Sequence, residues 1–269
     1  MNPFGRFIGR LVALLFILTG AVLLLGNLGF IVADPFKLAA DLWPVLLIII
    51  GLYFIWLRLR PAGKPKSVVL AESLGDASRA DINVNFGAGA LIINPLKKSD
   101  NLFEGDFLMK PEKLVRRSGS FAEVKLRYLQ WPFLSFFSWS EDDWKVGLST
   151  KIPLSLRLNT GASRVVANLT DNKIETLDLN TGASDVVLKL PKASGYTRVL
   201  VKGGATDIKF DVPKGVAARI KSTGTLSSLK VDEKRFPMNG SLFVSPDFDS
   251  AQNKVDIIVS AGASSITVS

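Results

Sequence analysis

The chain has 269 residues, of which 48% are hydrophobic and 21% charged, and its mean hydropathy is +0.28. This composition excludes a mainly disordered protein, because disorder requires low hydrophobicity and high charge. Histidine and cysteine are absent, which excludes disulfides, thiolate nucleophiles, Ser-His-Asp triads and zinc sites built from these residues. We therefore expect a protein that is not an enzyme, with no catalytic, metal-binding or cofactor-binding residues.

The formal charge of +9 is concentrated near the amino terminus, where residues 1–66 contribute +5. The remaining 203 residues contribute only +4 and contain no lysine- and arginine-rich stripe and no RNA-binding signature. We therefore expect no nucleic-acid partner.

Two apolar segments predict a transmembrane helical hairpin in residues 1–60. The first, 11–33, carries no charge and would form a helix of ~35 Å, enough to cross the hydrocarbon core. The second, 42–59, has Trp43, Tyr53 and Trp56 near its ends, where interfacial aromatics belong. A signal peptide is the competing interpretation, but the first segment exceeds the ~7–15 residues of a signal-peptide core and lacks a clear cleavage site.

Basic residues flank the hairpin on both outer sides, whereas the link at 33–41 is nearly neutral. The positive-inside rule then predicts a multi-pass membrane protein with both ends in the cytoplasm. Residues 61–66 would form a basic linker, and a domain at 67–269 would lie on the cytoplasmic side of the membrane.

The domain at 67–269 contains five Gly-Ala-(Gly/Ser/Thr) tripeptides in matching surroundings. Apolar residues stand five and three positions before each glycine and four and six positions after it. This period-2 pattern predicts strands with one buried face on both sides of a turn. Three copies are spaced by 21 and 22 residues, which favours an all-β domain of the β-solenoid type over a propeller or an antiparallel sandwich. The tripeptides contain Gly87, Gly161, Gly182, Gly204 and Gly262, followed by Ala88, Ala162, Ala183, Ala205 and Ala263.

We predict that each of these glycines takes a positive φ at a sharp corner between two strands. The alanine would then fit a crowded inner corner, and the hydroxyl at the third position would bond to nearby backbone. A degenerate sixth copy is predicted at Ser222-Thr223-Gly224. Two columns of polar residues are the most regular, and we expect their side chains to stabilise the turns rather than to bind a partner. These columns are Ser163, Ser184, Thr206 and Ser264, and Asn85, Asn159 and Asn180.

An insertion near 96–155 interrupts the array and contains the aromatic stretch 129–139. We favour a cap in which these aromatics cover the end of the core, because solenoids need caps. The alternative is a loop that contacts the membrane or a partner. The aromatics are Trp131, Phe133, Phe136, Phe137 and Trp139. The adjacent acidic run, Glu141-Asp142-Asp143, is interpreted as a solvated turn, since it lacks the ligand spacing of a calcium loop.

The two parts together resemble LiaF-like membrane proteins. The segments ILTGAVLLLGNLG and LWPVLLIIIGLYFIW are similar to a LiaI/LiaF-type transmembrane region. The segments WKVGLSTKIPLSLRLNTGAS, IETLDLNTGASDVVLKLP, VLVKGGATDIKFDVPKGVAARI and VDIIVSAGASSITV resemble toast-rack β-domains. The resemblance implies a regulator of envelope-stress signalling in the bacterial cytoplasmic membrane. It would act by contacts with a membrane sensor kinase or another membrane protein.

A self-assembling membrane-associated scaffold is the alternative function, with a homo-oligomer as the partner. Strand-like residues run to Ser269 without a capping helix, and a bare end of a solenoid would template another rung. The lipid bilayer is a partner in both interpretations.

Overall fold

The computed structural model describes residues 67–108, 110–127, 142–223 and 226–269, together with the helical positions 48 and 51. The chain divides into two compact units, Met1–Lys64 and Pro65–Ser269. Apart from the helical positions 48 and 51 in the second span, the predicted membrane spans fall outside the described residues, as do the basic linker and the aromatic stretch 129–139. Among the residues that are described, no helix is both long enough and apolar enough to cross a membrane.

The second unit is an all-β domain, as the period-2 pattern predicts. Its strands are β1 (Val68–Ser73), β2 (Arg79–Leu96), β3 (Asn101–Phe107), β4 (Glu112–Ser118), β5 (Phe121–Arg127), β6 (Asp142–Ser149), β7 (Pro153–Asn168), β8 (Lys173–Lys189), β9 (Tyr196–Asp211), β10 (Ala217–Ser222), β11 (Leu226–Val231), β12 (Met238–Asn239), β13 (Leu242–Val244) and β14 (Lys254–Val268). The five tripeptides lie near the middle of the long strands β2, β7, β8, β9 and β14. Each of these strands is one rung of the repeat, and its tripeptide marks the corner.

The long strands stack in parallel, in the register that the repeat predicts. Leu156 pairs with Leu177, and Leu177 pairs with Val199, which reproduces the spacings of 21 and 22 residues. All twenty apolar residues of the four predicted columns are at most 2% exposed and belong to one hydrophobic core. Burial of each such side chain contributes about 1.5–3 kcal/mol, so the columns supply the main stabilisation of the domain.

Each long strand contributes to two arms of the sheet. The first arm contains the residues before the glycines, and the second arm contains those after them. At the two ends of the array the arms pair with different strands. The first half of β2 pairs with β5 and the second half with β6. In the same way, the first half of β14 pairs with β10 and the second half with β11.

The spatial order of the rungs differs from their order in the chain. Strand β14 lies between β9 and the pair β10 and β11, so it is an internal rung. The predicted bare end at Ser269 is therefore wrong, because its backbone bonds to the preceding rung through Val212 N–H (2.9 Å) and Phe210 C=O (3.1 Å). Strands β10 and β11 pair with β14 in one constant register and form the sixth copy, but its position differs from the prediction at Ser222-Thr223-Gly224. Ser222 pairs with Val259 and Leu226 pairs with Ala263, so the positions equivalent to the tripeptide are 225–227.

The strands of the insertion near 96–155 extend both arms of the array. Arg79 pairs with Phe121, 42 positions later, whereas Gly89 pairs with Asp142, 53 positions later. Strands β5 and β6 thus form a further rung, and 11 extra residues are inserted at its corner. Beyond this rung, β4 pairs with β5, β3 pairs with β6, and β1 pairs with β3, all antiparallel.

The prediction of a positive φ at the five corner glycines is wrong. Among the described residues, positive φ occurs at Gly75, Gly89, Gly119, Gly195, Gly215 and Gly240. The corners require glycine because neighbouring rungs approach closely there. A Cβ added to Gly161 would lie 2.6 Å from the carbonyl oxygen of Gly87, and a Cβ on Gly204 would lie 2.9 Å from that of Gly182. For Gly182 and Gly262, the distance to the preceding glycine oxygen would be 3.1 Å.

The prediction that the corner alanines fill an inner corner is also wrong. All five alanines are exposed, as are the glycines before them. Two consecutive residues face outward at each corner, so the alternation of burial shifts by one position there. The residue that turns inward is the third of the tripeptide, and Ser163, Ser184 and Thr206 are at most 9% exposed.

Candidate functional site

A shallow, open groove follows the corner along the outer surface of the second arm. Its floor is the alanine column, which the groove exposes at Ala162, Ala183, Ala205 and Ala263. The groove exists because glycine and alanine leave the corner without bulky side chains over several consecutive rungs. We call this surface the alanine groove.

The hydroxyl column lies beneath the floor of the alanine groove and bonds mainly between rungs. Ser163 N–H donates to Ser184 Oγ (3.3 Å), and the two hydroxyl oxygens are 3.2 Å apart. Ser184 Oγ–H donates to the carbonyl oxygen of Gly161 at 3.2 Å. The hydroxyls of Thr206 and Ser264 are buried and have no partner among the described residues. Two of the four hydroxyls therefore stabilise the corner, and the other two, at one end of the column, form no hydrogen bond with the described residues.

Charged side chains border the alanine groove, three positions after the glycines. Arg164, Asp185 and Asp207 are exposed and lie side by side on three consecutive rungs. Neighbouring like charges in a sheet are destabilising, so Asp185 beside Asp207 costs stability that a cationic partner would offset. The sequence analysis did not identify these residues, because the same column contains Ala90 and Ser265 and shows no common residue type.

Beyond the charges, the groove is bordered by a short apolar strip on the second arm. Ile92, Val166 and Val187 are in register on three adjacent rungs and are half-buried. The combined surface has an apolar floor, an apolar border and a line of charges between them. Such a surface can bind a polypeptide segment.

The asparagine column forms a ladder on the outer face of the first arm. Asn159 Nδ2–H donates to Asn85 Oδ1, and Asn180 Nδ2–H donates to Asn159 Oδ1, both at 3.0 Å. These three residues are half-buried. Because the side-chain amides bond to one another between rungs, this column stabilises the stacking and is not an open binding site.

An ion pair on the first arm connects β9, β14 and β10. Arg219 donates two hydrogen bonds to Asp256, at 3.0 and 2.8 Å, and Tyr196 donates a third at 3.2 Å. Burial of Asp256 opposes its ionisation, but the bonds and charge of Arg219 outweigh this and lower the pKa of Asp256. Burial, followed by the charge of Asp256, raises the pKa of Tyr196. This cluster fixes the position of the inserted rung β14.

A second charged cluster closes the opposite end of the array. Glu72 of β1 accepts bonds from Lys113 (3.0 Å) and Arg117 (2.9 Å) of β4. Burial raises the pKa of Glu72, but the bonds from these two cations outweigh it, so the pKa is lowered. The same cations also donate to backbone carbonyl oxygens, from Lys113 to Ala71 in β1 and from Arg117 to Leu74 directly after β1, both at 3.0 Å. These side chains bridge the two arms.

The aromatics predicted to cap the core lie outside the described residues, but the ends of their segment are described. Arg127 pairs with Asn85, and Asp142 pairs with Gly89, so the segment begins and ends at the corner of the β5–β6 rung. The buried aromatics Phe103, Phe107 and Trp144 fill the core at this end. Trp144 packs against Phe107 with ring centroids 5.0 Å apart.

The acidic run contributes Asp142 and Asp143 to the start of β6, and Glu141 falls outside the described residues. Asp143 lies at one end of the alanine groove. Among the described residues there is no group of three or more acidic, histidine or cysteine side chains that could hold a metal ion.

Two family models match the chain. The model of the N-terminal domain of toast_rack, DUF2154, matches residues 62–211, which is more than half of the chain. The model of the LiaI-LiaF-like transmembrane region matches residues 10–55. No curated protein matches the sequence.

Solved structures support the fold of the β-domain. A crystal structure described as a candidate cell adhesion protein from Clostridium sporogenes superposes with a TM-score of 0.68 at 21% identity, covering 76% of this chain and 99% of that one. At this identity the likeness shows the fold alone. A candidate adhesin from Bacteroides fragilis covers 77% of this chain and 100% of its own, with 9% identity, but its TM-score of 0.29 supports no argument.

Proposed function

We propose a regulatory function for this chain, which belongs to the toast_rack family and is a LiaF-like membrane protein. In this proposal it modulates envelope-stress signalling in the bacterial cytoplasmic membrane, without catalysis, by contact with a membrane sensor kinase or another membrane protein. The observation that supports it is the combination, in one chain, of a LiaI-LiaF-like transmembrane region and a toast_rack domain.

The alanine groove is the surface that we assign to this contact. It is built on hydrogen-bonded rungs, so a partner would dock without ordering flexible loops, which lowers the entropic cost of binding. A membrane anchor raises the effective concentration of the domain for other membrane proteins. In our proposal the anchor is a two-span hairpin with the domain on the cytoplasmic side, and the aromatic stretch at the domain's β1 end contacts either the core or the lipid bilayer.

The test is a deletion strain that carries a stress-response reporter and is treated with cell-wall antibiotics. Full-length protein should restore the wild-type output, whereas the membrane region alone or the β-domain alone should not. Ala183→Tyr, which fills the groove at an exposed position, and Asp207→Lys, which reverses a bordering charge, should both reduce complementation. Lys202→Glu changes an exposed charge on the first arm and is the matched control.

Equal complementation by Ala183→Tyr, Asp207→Lys and wild type at equal protein levels would remove the groove from the proposal. An unchanged reporter output in the deletion strain itself would refute the regulatory function. The alternative of a self-assembling scaffold was based on a bare strand end at Ser269, and this end is absent because β14 is an internal rung.

A further inference from the structure

The two arms end at different levels at the end of the array farthest from β1. The first arm continues past β10 into β13 and then β12. The second arm stops at β11, which pairs with β14 on one side. No described residue pairs with the other side of β11. The second arm therefore ends in a strand edge beside a step formed by the longer first arm.

The direction of one hydrogen bond shows which groups of β11 face this edge. Asp232 N–H, directly after the strand, donates to Val268 C=O of β14 at 3.1 Å. In a strand, successive residues direct their N–H and C=O groups to opposite sides. Ser227, Leu229 and Val231 therefore direct theirs to the open edge. These six backbone groups form a template for one more strand.

The side chains at this edge define the chemistry of the strand that fits. Leu229 and Val231 are half-buried and pack against the core, so an added strand should place apolar side chains beside them. The opposite face carries exposed Lys230, and Lys209 lies two strands away in the same column. Neither lysine forms an ion pair with the described residues. Carboxylates on the outer face of the added strand would complement this charge.

We propose that the open edge of β11 binds an extended segment of a partner protein by β-strand addition, the segment alternating apolar and acidic residues. The backbone groups would provide affinity, and the alternate side chains would provide specificity. This inference does not depend on the regulatory role or on the alanine groove, because it uses a different surface and different residues.

The same geometry disfavours a second copy of this chain as the occupant. If the second arm of another copy paired with β11, the first arm of that copy would have to occupy the space that β13 already fills. Head-to-tail addition on the second arm would use β1, where Lys113 and Arg117 already donate to the carbonyl oxygens of Ala71 and the adjacent Leu74. A single extended segment avoids both conflicts.

The test measures peptide binding to the full-length protein in detergent by fluorescence polarisation. The probe is the labelled peptide TVEVEVT, and the comparison peptides are TVKVKVT and TVEVEVT methylated at alternate backbone nitrogens. We expect saturable binding of the acidic peptide, about tenfold weaker binding of the lysine peptide, and loss of binding on methylation. Lys230→Glu should reverse the preference between the two charged peptides, and Lys202→Glu on the first arm should leave it unchanged.

Three results of the peptide assay would overturn the proposal. They are equal binding of the methylated and unmethylated peptides, no effect of Lys230→Glu on the preference, and no saturable binding up to about 1 mM. A dimer that dissociates on addition of TVEVEVT would assign the edge to a second copy and would overturn it as well. The reporter assay of the alanine groove is independent of each of these outcomes.

Discussion

The close approach of neighbouring glycines predicts that identical substitutions at different corners differ in their effect. In Gly161→Ala, the new Cβ would lie 2.6 Å from the carbonyl oxygen of Gly87, a distance that real Cβ atoms do not adopt. The obstructing atom belongs to the backbone of a paired strand, so the rungs themselves must shift. Overpacking of this kind costs about 1–3 kcal/mol of the free energy of unfolding.

Gly87→Ala is the matched control, because it makes the same change at the first corner of the column. No atom lies within 4 Å of a Cβ built on Gly87, and its φ is not positive. Replacing glycine by alanine at an unstrained position stabilises a protein by about 0.4–1 kcal/mol, because it reduces the entropy of the unfolded chain. The two variants should therefore change stability in opposite directions.

The assay is urea denaturation of a fragment comprising residues 67–269, followed by circular dichroism. Gly161→Ala should have the lowest midpoint, Gly204→Ala and Gly182→Ala should be intermediate, and Gly87→Ala should equal or exceed wild type. Gly182→Val should likewise be far more destabilising than Lys189→Ala, whose exposed position permits about ±0.5 kcal/mol. If Gly87→Ala destabilised the domain as much as Gly161→Ala, the close approach of the rungs would not be the reason for glycine.

Further predictions concern the ion pair, the aromatic stretch and the membrane topology. Because the pKa of Asp256 is lowered on folding, its ionised form stabilises the protein above the unfolded pKa of about 3.9, and this stabilisation is lost as pH falls through the folded pKa. Asp256→Asn should therefore cost about 1–3 kcal/mol at pH 7 and clearly less near pH 3, and an equal cost at both pH values would contradict this. Trp131→Ala with Trp139→Ala should lower the melting temperature and leave liposome binding unchanged if the stretch caps the core; the reverse result would indicate lipid contact. Single cysteines at Lys37 and Ser67 test the orientation in intact cells with a membrane-impermeant thiol reagent, and labelling only at position 67 would contradict a cytoplasmic domain.

The buried columns could be predicted from the sequence because each depends on one local property. A strand with one buried face alternates, and stacked rungs place equivalent residues in one environment, so Ile82, Leu156 and Leu177 have the same character. The role of the corner glycines could not be predicted in this way. Glycine is selected both by a positive φ and by the approach of a neighbouring backbone, and only the positions of the adjacent rungs distinguish the two causes.

The order of the rungs at the end of the array also could not be predicted from the sequence. The interval between Gly204 and Gly262 shows that residues are inserted between two copies, but a spacing does not say which strands become neighbours. The structure places β14 beside β9, so the pair β10 and β11 is displaced outward. The open edge of β11 is a consequence of this crossover and has no local signature in the strand itself.

The stacking of the rungs at the corner also limits which residues can provide specificity for a partner. The approach of the rungs requires glycine at Gly161, Gly182, Gly204 and Gly262, and each of these glycines is followed by alanine, so the floor of the groove offers little chemical variety. Specificity must then come from positions that the stacking leaves free to vary. On the second arm these are the bordering column with Arg164, Asp185 and Asp207, and the exposed Lys230 at the unpaired edge of β11. Substitutions at these positions should therefore change binding without changing the fold, whereas substitutions at the four closely approached glycines should change both together.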